Sequence, residues 1–302
     1  MSTPWVTLVA VLLVAPALPG IATRTKSVLS GRRGAPVLQL YADLAKLARK
    51  GVVYSRTVTL VFRLAPVVVT SAVVLAAVLL PLDGRAPIFG FTGDLVAFAG
   101  LLALGQFALV LAGLDTGSSF EGMGASREVT VAAFAEPALL LSFTVLVLVT
   151  GSLSLGGMLG TPLAMAWPTA APSLVLAGAS LFMLLLAENG RVPIDDPATH
   201  LELTMIHEVI ILDHSGPDLA LILYASAVKF ALFGVLVVSI LVPRGRFDPW
   251  VAGVILLVGL ALIAVVVGVI ESVMARLRMD RIPQFLVAAA ALAGFGVILL
   301  LR

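Results

Sequence analysis

Leu219-Ala-Leu-Ile-Leu-Tyr-Ala-Ser-Ala-Val-Lys229-Phe-Ala-Leu-Phe-Gly-Val-Leu-Val-Val-Ser-Ile-Leu-Val-Pro243 carries one charge in twenty-five residues. A helix rises about 1.5 Å per residue, so about twenty such residues cross a hydrocarbon layer roughly 30 Å thick. This stretch therefore reads as a membrane-spanning helix with a lysine about 15 Å from its start, too deep to snorkel easily to the headgroups. Seven further windows of similar character lie at about residues 4–22, 63–82, 95–113, 130–150, 172–188, 249–270 and 284–301. The uncharged stretch from Pro137 to Ala187 is interrupted by Gly151, Gly156, Gly157, Gly160, Pro162, Pro168 and Pro172, and divides into two spans joined by a loop.

The rest of the chain agrees. Of 302 residues, 60% are hydrophobic and 12% charged, with a mean hydropathy of +1.13. That charge density is about half that of a soluble domain, so most of the outer surface must face lipid. A soluble enzyme, a nucleic-acid-binding module and a secreted disulfide scaffold are excluded. Cysteine is absent, which removes disulfides, iron–sulfur ligation and thiol redox chemistry from this chain. The expected fold is an all-α integral membrane protein: eight transmembrane helices, an amphipathic interfacial helix, and a long cytoplasmic loop carrying a short helix. Residues 1–302 are expected to form a single membrane domain, with cytoplasmic loops at about 23–62, 114–129, 189–218 and 271–283.

Orientation follows from the basic residues. With eight spans, fourteen of the nineteen Lys and Arg fall on one side, among them Arg24, Lys46, Arg127, Arg191 and Arg276. That side is read as cytoplasmic, with both termini outside. The first span ends in Ala15-Pro16-Ala17-Leu18-Pro19-Gly20, but no positive charge precedes it as in a signal peptide, so it reads as a retained span. Fourteen of the seventeen acids share the basic side, and mixed charge there points to a soluble partner.

Each cytoplasmic loop carries a candidate feature. In Pro36–Lys50, Val37, Leu40, Tyr41, Leu44, Leu47 and Ala48 recur at helical spacing while Gln39, Asp43, Lys46, Arg49 and Lys50 fall largely away from them. This is an interfacial helix that suits either a lipid surface or a docked protein. The second loop, Leu114–Glu128, is rich in glycine, which permits tight turns or close approach of another segment. It has no Walker lysine for a phosphate cradle. Glu136, about two turns into the following span, needs a partner, water or a proton. The third loop, from Glu188 to Asp218, holds all three histidines and seven acids. Thr199 and Glu202 read as a capping box opening a short helix through about Leu212. His200 and His207 would then lie two turns, about 10 Å, apart, too far to hold one zinc. Asp196, Asp213 and Asp218 read as solvated surface. Glu188 and Glu202, near span ends in apolar surroundings, suit a proton relay. Lys229 is expected to pair with Glu136, and Glu271 with Arg276.

Together these segments resemble the membrane subunit shared by respiratory complex I, where it is subunit 1, and the membrane-bound group 4 nickel–iron hydrogenases. The resemblance covers essentially the whole chain. It rests on Gly31-Arg-Arg-Gly34 with Gln39, Asp43 and Lys46; on Asp115-Thr-Gly-Ser, Gly122-Met-Gly and Ser126-Arg-Glu128; on Ala135-Glu136-Pro137; and on Glu188-Asn-Gly-Arg-Val-Pro-Ile-Asp-Asp-Pro-Ala-Thr-His-Leu-Glu-Leu-Thr-Met-Ile-His-Glu208. The last run is similar to the hydrogenase branch, which includes the formate hydrogenlyase and hydrogenase-4 membrane subunits. The quinone-using branch has Glu-Gly-Glu-Ser-Glu-Leu where this chain has Ala198-Thr-His-Leu-Glu-Leu203, keeping only Glu202. That departure argues against a conventional quinone reductase and leaves open a lipid or quinone in the inherited cavity.

The resemblance implies a non-catalytic subunit of an oxidoreductase complex in a prokaryotic cytoplasmic membrane. Soluble hydrogenase large and small subunits would dock on the third loop, and antiporter-like subunits would lie alongside in the bilayer. The nickel–iron centre and iron–sulfur clusters would belong to the partners, and no metal to this chain. Residue by residue, it places Glu136, Glu188 and Glu202 on a proton path, to which charge depth adds Lys229, and Asp43, Lys46, Arg127, Arg191 and Asp195 at partner-docking positions. The alternatives are a quinone-binding subunit of a complex I-type NADH dehydrogenase and a purely structural membrane anchor.

Overall fold

A computed structural model describes residues 3–195 and 206–302. Regular structure among them is helical. The order is α1 Thr3–Val14, α2 Ala17–Leu29, α3 Gln39–Ala48, α4 Leu60–Val78, α5 Asp94–Asp115, α6 Ser119–Thr150, α7 Leu155–Leu159, α8 Thr161–Glu188, α9 Gly216–Leu241, α10 Pro249–Val273 and α11 Ile282–Leu300. Seven helical runs are long and apolar enough to cross a bilayer: α4, α5, α6, α8, α9, α10 and Met279–Leu300, which contains α11. α1 and α2 meet at a 44° bend and make an eighth if they form one span.

The bend has a local cause. Pro16 has no N–H to offer Leu12, and the carbonyls of Leu12 and Leu13 are met instead by phenols. Tyr224 of α9 donates to the Leu12 carbonyl at 3.2 Å, and Tyr41 of α3 donates to that of Leu13. The amphipathic segment thus forms a helix, α3, with none of its residues buried, lying against α2 and α9.

α9, which carries Lys229, is the most enclosed span, with 72% of its apolar window buried. It packs against α4, α8 and α10. Flanking layers form where α4 meets α5, where α6, α8 and α11 pack together, and where α2 meets α10. A charge on α9 therefore faces protein, and its partner must come from a neighbouring helix.

Two boundaries differ from the sequence reading. The segment 119–129, expected as loop, is the start of α6. Its glycines serve close packing: a Cβ on Gly124 would sit 3.1 Å from the Ile210 amide nitrogen and 3.3 Å from the Ile206 carbonyl oxygen. α8 begins at Thr161 rather than near 172. Pro162 occupies its first turn, where no helical N–H is needed, and Trp167 Nε1 donates to the Ile240 carbonyl at 2.7 Å, holding the extension against α9. At the same end of the bundle Arg244, 1% exposed, donates from Nη1 to the Leu82 carbonyl at 2.6 Å and from Nη2 to Ser239 Oγ at 2.8 Å. Buried Asp94 accepts from the Leu155 N–H at 2.6 Å and from Ser154 Oγ at 3.1 Å, stapling α5 to α7.

At the opposite end, Ile206–Leu212 follows turns and a 3₁₀ segment, Val209–Ile211, and not the continuous helix expected there. Tight packing under Gly124 fixes that path. The proposed capping box, Thr199 with Glu202, and His200 lie outside the described residues.

Candidate proton-handling site

Glu188 ends α8 and is 7% exposed; its Oε2 lies 2.6 Å from Lys229 Nζ, halfway along α9. A buried ion pair so short satisfies both charges where water cannot. This corrects the expected pairing of Lys229 with Glu136. Glu136 lies on the outward face of α6, exposed on this chain, whereas α8 packs directly on α9 and brings its terminal carboxylate to the lysine.

A second buried carboxylate lies nearby. Glu128 of α6, 2% exposed, accepts from Gln106 Nε2 of α5 at 2.7 Å, and its Oε2 lies 3.4 Å from His207 Nε2. Gln106, Glu128, Glu188, His207 and Lys229 border one cavity of about 60 Å³. A larger cavity of about 230 Å³ runs from Gln106 and Glu188 to Glu136 between apolar walls that include Ala99, Leu139 and Phe233. Gln106 and Glu188 belong to both, so the two spaces adjoin at those side chains. Each exceeds the roughly 10–15 Å³ of accessible space that one water needs. A third cavity, about 220 Å³, lies on the loop side of His207 and is bordered by Asn189, Gly190, Arg191, Asp195 and Glu208.

The third loop is held by crossed ion pairs. Arg191 Nη1 reaches Glu271 Oε1 of α10 at 3.3 Å, and its guanidinium carbon lies 5.6 Å from the centre of the Phe230 ring. Asp195 Oδ1 pairs with Arg276 Nη2 at 3.2 Å, while its Oδ2 accepts the N–H of Ile206 at 2.9 Å and of His207 at 3.4 Å. Glu271 therefore pairs with Arg191 and not with Arg276 as expected: a charge closing α10 meets the loop crossing it sooner than its sequence neighbour. Arg191 and Asp195 are 8% and 4% exposed. Both are engaged within this chain, where their ion pairs hold the loop in place.

Asp43 and Lys46, by contrast, are accessible and pair with each other at 3.3 Å on α3, where Gln39 also donates to Asp43. Arg127 is half-buried on the first turns of α6, its Nη2 2.7 Å from Met123 Sδ. Glu202 lies outside the described residues. Among the described residues no group of three or more His, Asp or Glu side chains is placed to hold a metal ion.

Gln106, Glu128 and His207 were not singled out as path residues from the sequence. Gln106 carried a usable signal, being the lone amide within an apolar span. Glu128 stood inside a recognised motif but was assigned to a loop. His207 was weighed only as a metal ligand. His214 also went unremarked; it is 3% exposed and stacks on Phe62 with ring centres 3.9 Å apart. Burial lowers its pKa to about 4.

The helical bundle, with seven runs long and apolar enough to cross a bilayer and carboxylates, an amide and a lysine set among them, defines a multi-pass membrane protein. A family described as NADH dehydrogenase matches residues 3–301, and the chain belongs to it. It is similar to hydrogenase-4 component C of Escherichia coli (strain K12), with 34% identity over 279 residues, covering 89% of this chain and 86% of that protein. Similarity to formate hydrogenlyase subunit 4 of the same organism is 33% over 293 residues, covering 94% and 91%. Among solved structures, a chain of the membrane-bound sulfane sulfur reductase, an archaeal respiratory membrane complex, shares the fold with a TM-score of 0.83 at 18% identity, covering 99% of this chain and 98% of that one.

Proposed function

We propose that this chain is the membrane-anchoring, proton-path subunit of a hydrogenase-type complex of the formate hydrogenlyase kind. Redox chemistry takes place in soluble large and small subunits docked on its cytoplasmic face, which hold the nickel–iron centre and iron–sulfur clusters. Antiporter-like subunits lie beside it in a prokaryotic cytoplasmic membrane. In this reading the chain crosses that membrane eight times with both termini outside. Asp43, Lys46 and Arg127 serve the docked partner, while Arg191 and Asp195 set the loop that it meets.

The observation that carries the proposal is the Glu188–Lys229 pair at 2.6 Å, standing where the cavity that reaches Glu136 adjoins the one that reaches Glu128. Lys229 compensates the Glu188 carboxylate in this arrangement; opening the pair frees Glu188 to relay a proton along the wettable cavity to Glu136. Glu202, assigned to the path by the family resemblance alone, lies outside the described residues. The electrons never enter this chain.

The test compares the wild-type complex with Glu136→Gln and Glu188→Gln in sealed vesicles, scoring proton uptake per redox turnover in complexes shown to be assembled. A large fall in that ratio is expected. An unchanged ratio in both variants reduces the chain to an anchor. A second reading, quinone or lipid binding, is favoured by one feature: the cavity of about 220 Å³ reaches from Asp195 and His207 to Pro19, Leu40 and Ile222. Formation of reduced quinone in place of hydrogen chemistry by the purified complex identifies that case.

A further inference from the structure

The imidazole of His207 stands in the wall between two spaces. On one side it borders the cavity of about 60 Å³ with Glu128, Glu188 and Lys229; on the other it borders the loop-side cavity of about 220 Å³ with Asp195 and Glu208. Its Nε2 is 3.4 Å from Glu128 Oε2. The opposite nitrogen, Nδ1, lies over Gly190, whose backbone has φ +56°; a Cβ there would come within 2.7 Å of that nitrogen. Among the described residues neither ring nitrogen has a hydrogen-bond partner, and both are out of contact with solvent, although the ring as a whole is a quarter exposed.

From this geometry we propose that His207 is the gate through which protons pass between the loop-side cavity and the buried Glu128–Glu188 cluster. The inference rests on the proton-path reading of Glu188 and Lys229 and adds its entry group.

The step balances simply. A proton arriving from the loop side forms a bond to Nδ1; the Nε2–H bond breaks, and that proton forms an O–H bond on Glu128. The ring is left as the other neutral tautomer and is reset by a half-turn about the Cβ–Cγ bond. No electrons move. Gln106, which donates to the other Glu128 oxygen at 2.7 Å, keeps that carboxylate aimed so that Oε2 faces the histidine. The charged groups around the ring are Glu128 from α6, the Glu188–Lys229 pair from α8 and α9, and Arg191, Asp195 and Glu208 from the loop. Gly190 is needed because any side chain at that position would drive the ring off Glu128.

The test uses the intact complex in sealed vesicles, with His207→Ala, His207→Gln and Glu188→Gln compared for proton uptake per redox turnover after assembly has been verified. Both His207 variants are expected to fall at least roughly tenfold, a floor set below the roughly hundredfold that a positioned acid–base group contributes at the low end. Millimolar imidazole is expected to restore His207→Ala, with no effect on Glu188→Gln, and substituted imidazoles to restore it in proportion to their basicity. A structural role for the ring would not produce that dependence. If Glu188→Gln loses coupling while His207→Ala keeps it, the gate is overturned and the path survives. If both variants keep coupling, the path reading fails and takes the gate with it. Loss in His207→Ala that no imidazole relieves also overturns the gate, since it makes the residue part of the wall.

Discussion

Replacing Lys229 by methionine removes one charge from a pair enclosed by α8, α9 and the cavity wall while nearly conserving side-chain length. Glu188, whose side chain is 8% exposed, is then left as an uncompensated carboxylate. Breaking a buried pair from one side costs about 3–5 kcal/mol, and removing both charges often costs little. The expected pattern is a double-mutant cycle. Lys229→Met and Glu188→Gln each lower stability by a few kcal/mol, and the double variant recovers most of the loss, a coupling of roughly 2 kcal/mol or more. Unfolding of the purified protein in mixed micelles titrated with dodecyl sulfate measures all four corners. The double variant should regain stability without regaining proton uptake, because the recovered fold has lost its titrating group. Single losses that add to within about 0.5 kcal/mol in the double variant would refute the reasoning, since contacting charges that share one partner cannot be independent.

His214 supplies a pH dependence. Its pKa falls from 6.5 to about 4 through burial, which outweighs the opposing pull of Asp218 and Asp213. The unfolded chain binds that proton below 6.5 and the fold refuses it until about 4, so stability drops as pH falls through that window, by about 3 kcal/mol in all. Unfolding at pH 7 and pH 4.5 should show most of this loss, and His214→Phe, still able to stack on Phe62, should abolish it. Gly124→Leu forces side-chain bulk into the amide of Ile210 and the side chain of Val209, and is expected to destabilise by about 1–3 kcal/mol. Limited proteolysis should then cut around residues 206–212 much faster than in the wild type. Arg244→Met leaves the Leu82 carbonyl without its guanidinium donor and strips one bond from the Ser239 hydroxyl, which keeps its own to the Val235 carbonyl, and is expected to cost about 1–3 kcal/mol. Hydrogen exchange should rise locally at residues 80–84.

The spans were legible because their signal is one-dimensional: an apolar run either is or is not long enough, and the windows around Leu219–Pro243 and 249–270 needed no tertiary knowledge. The opening turns of α6 were not legible. Gly122 and Gly124 weigh toward loop by propensity, and only the close approach of Ile206 and Ile210 makes glycine the residue a helix needs there. The prolines near 162–172 misled in the same way, since Trp167 supplies a tertiary anchor invisible to local rules. Site membership was partly readable from depth, which picked out Glu136 and Lys229. Partner choice was not. Which acid meets Lys229, and which arginine meets Glu271, depends on helix adjacency, and chain order says nothing about that. Arg191 and Asp195 matched a family motif, but that they pair with Glu271 and Arg276 within the chain could not be read from it.

The bend between α1 and α2 has a mechanical consequence. Proline strands the Leu12 carbonyl and the bend frees that of Leu13, and phenols from two different helices, Tyr224 and Tyr41, take them up. What would otherwise be a loose elbow becomes a three-way joint whose angle is shared by the amphipathic helix and the central span. A sideways push on α3 is delivered as leverage on the terminal rod, so α1 cannot swing until one of those phenolic ties is released.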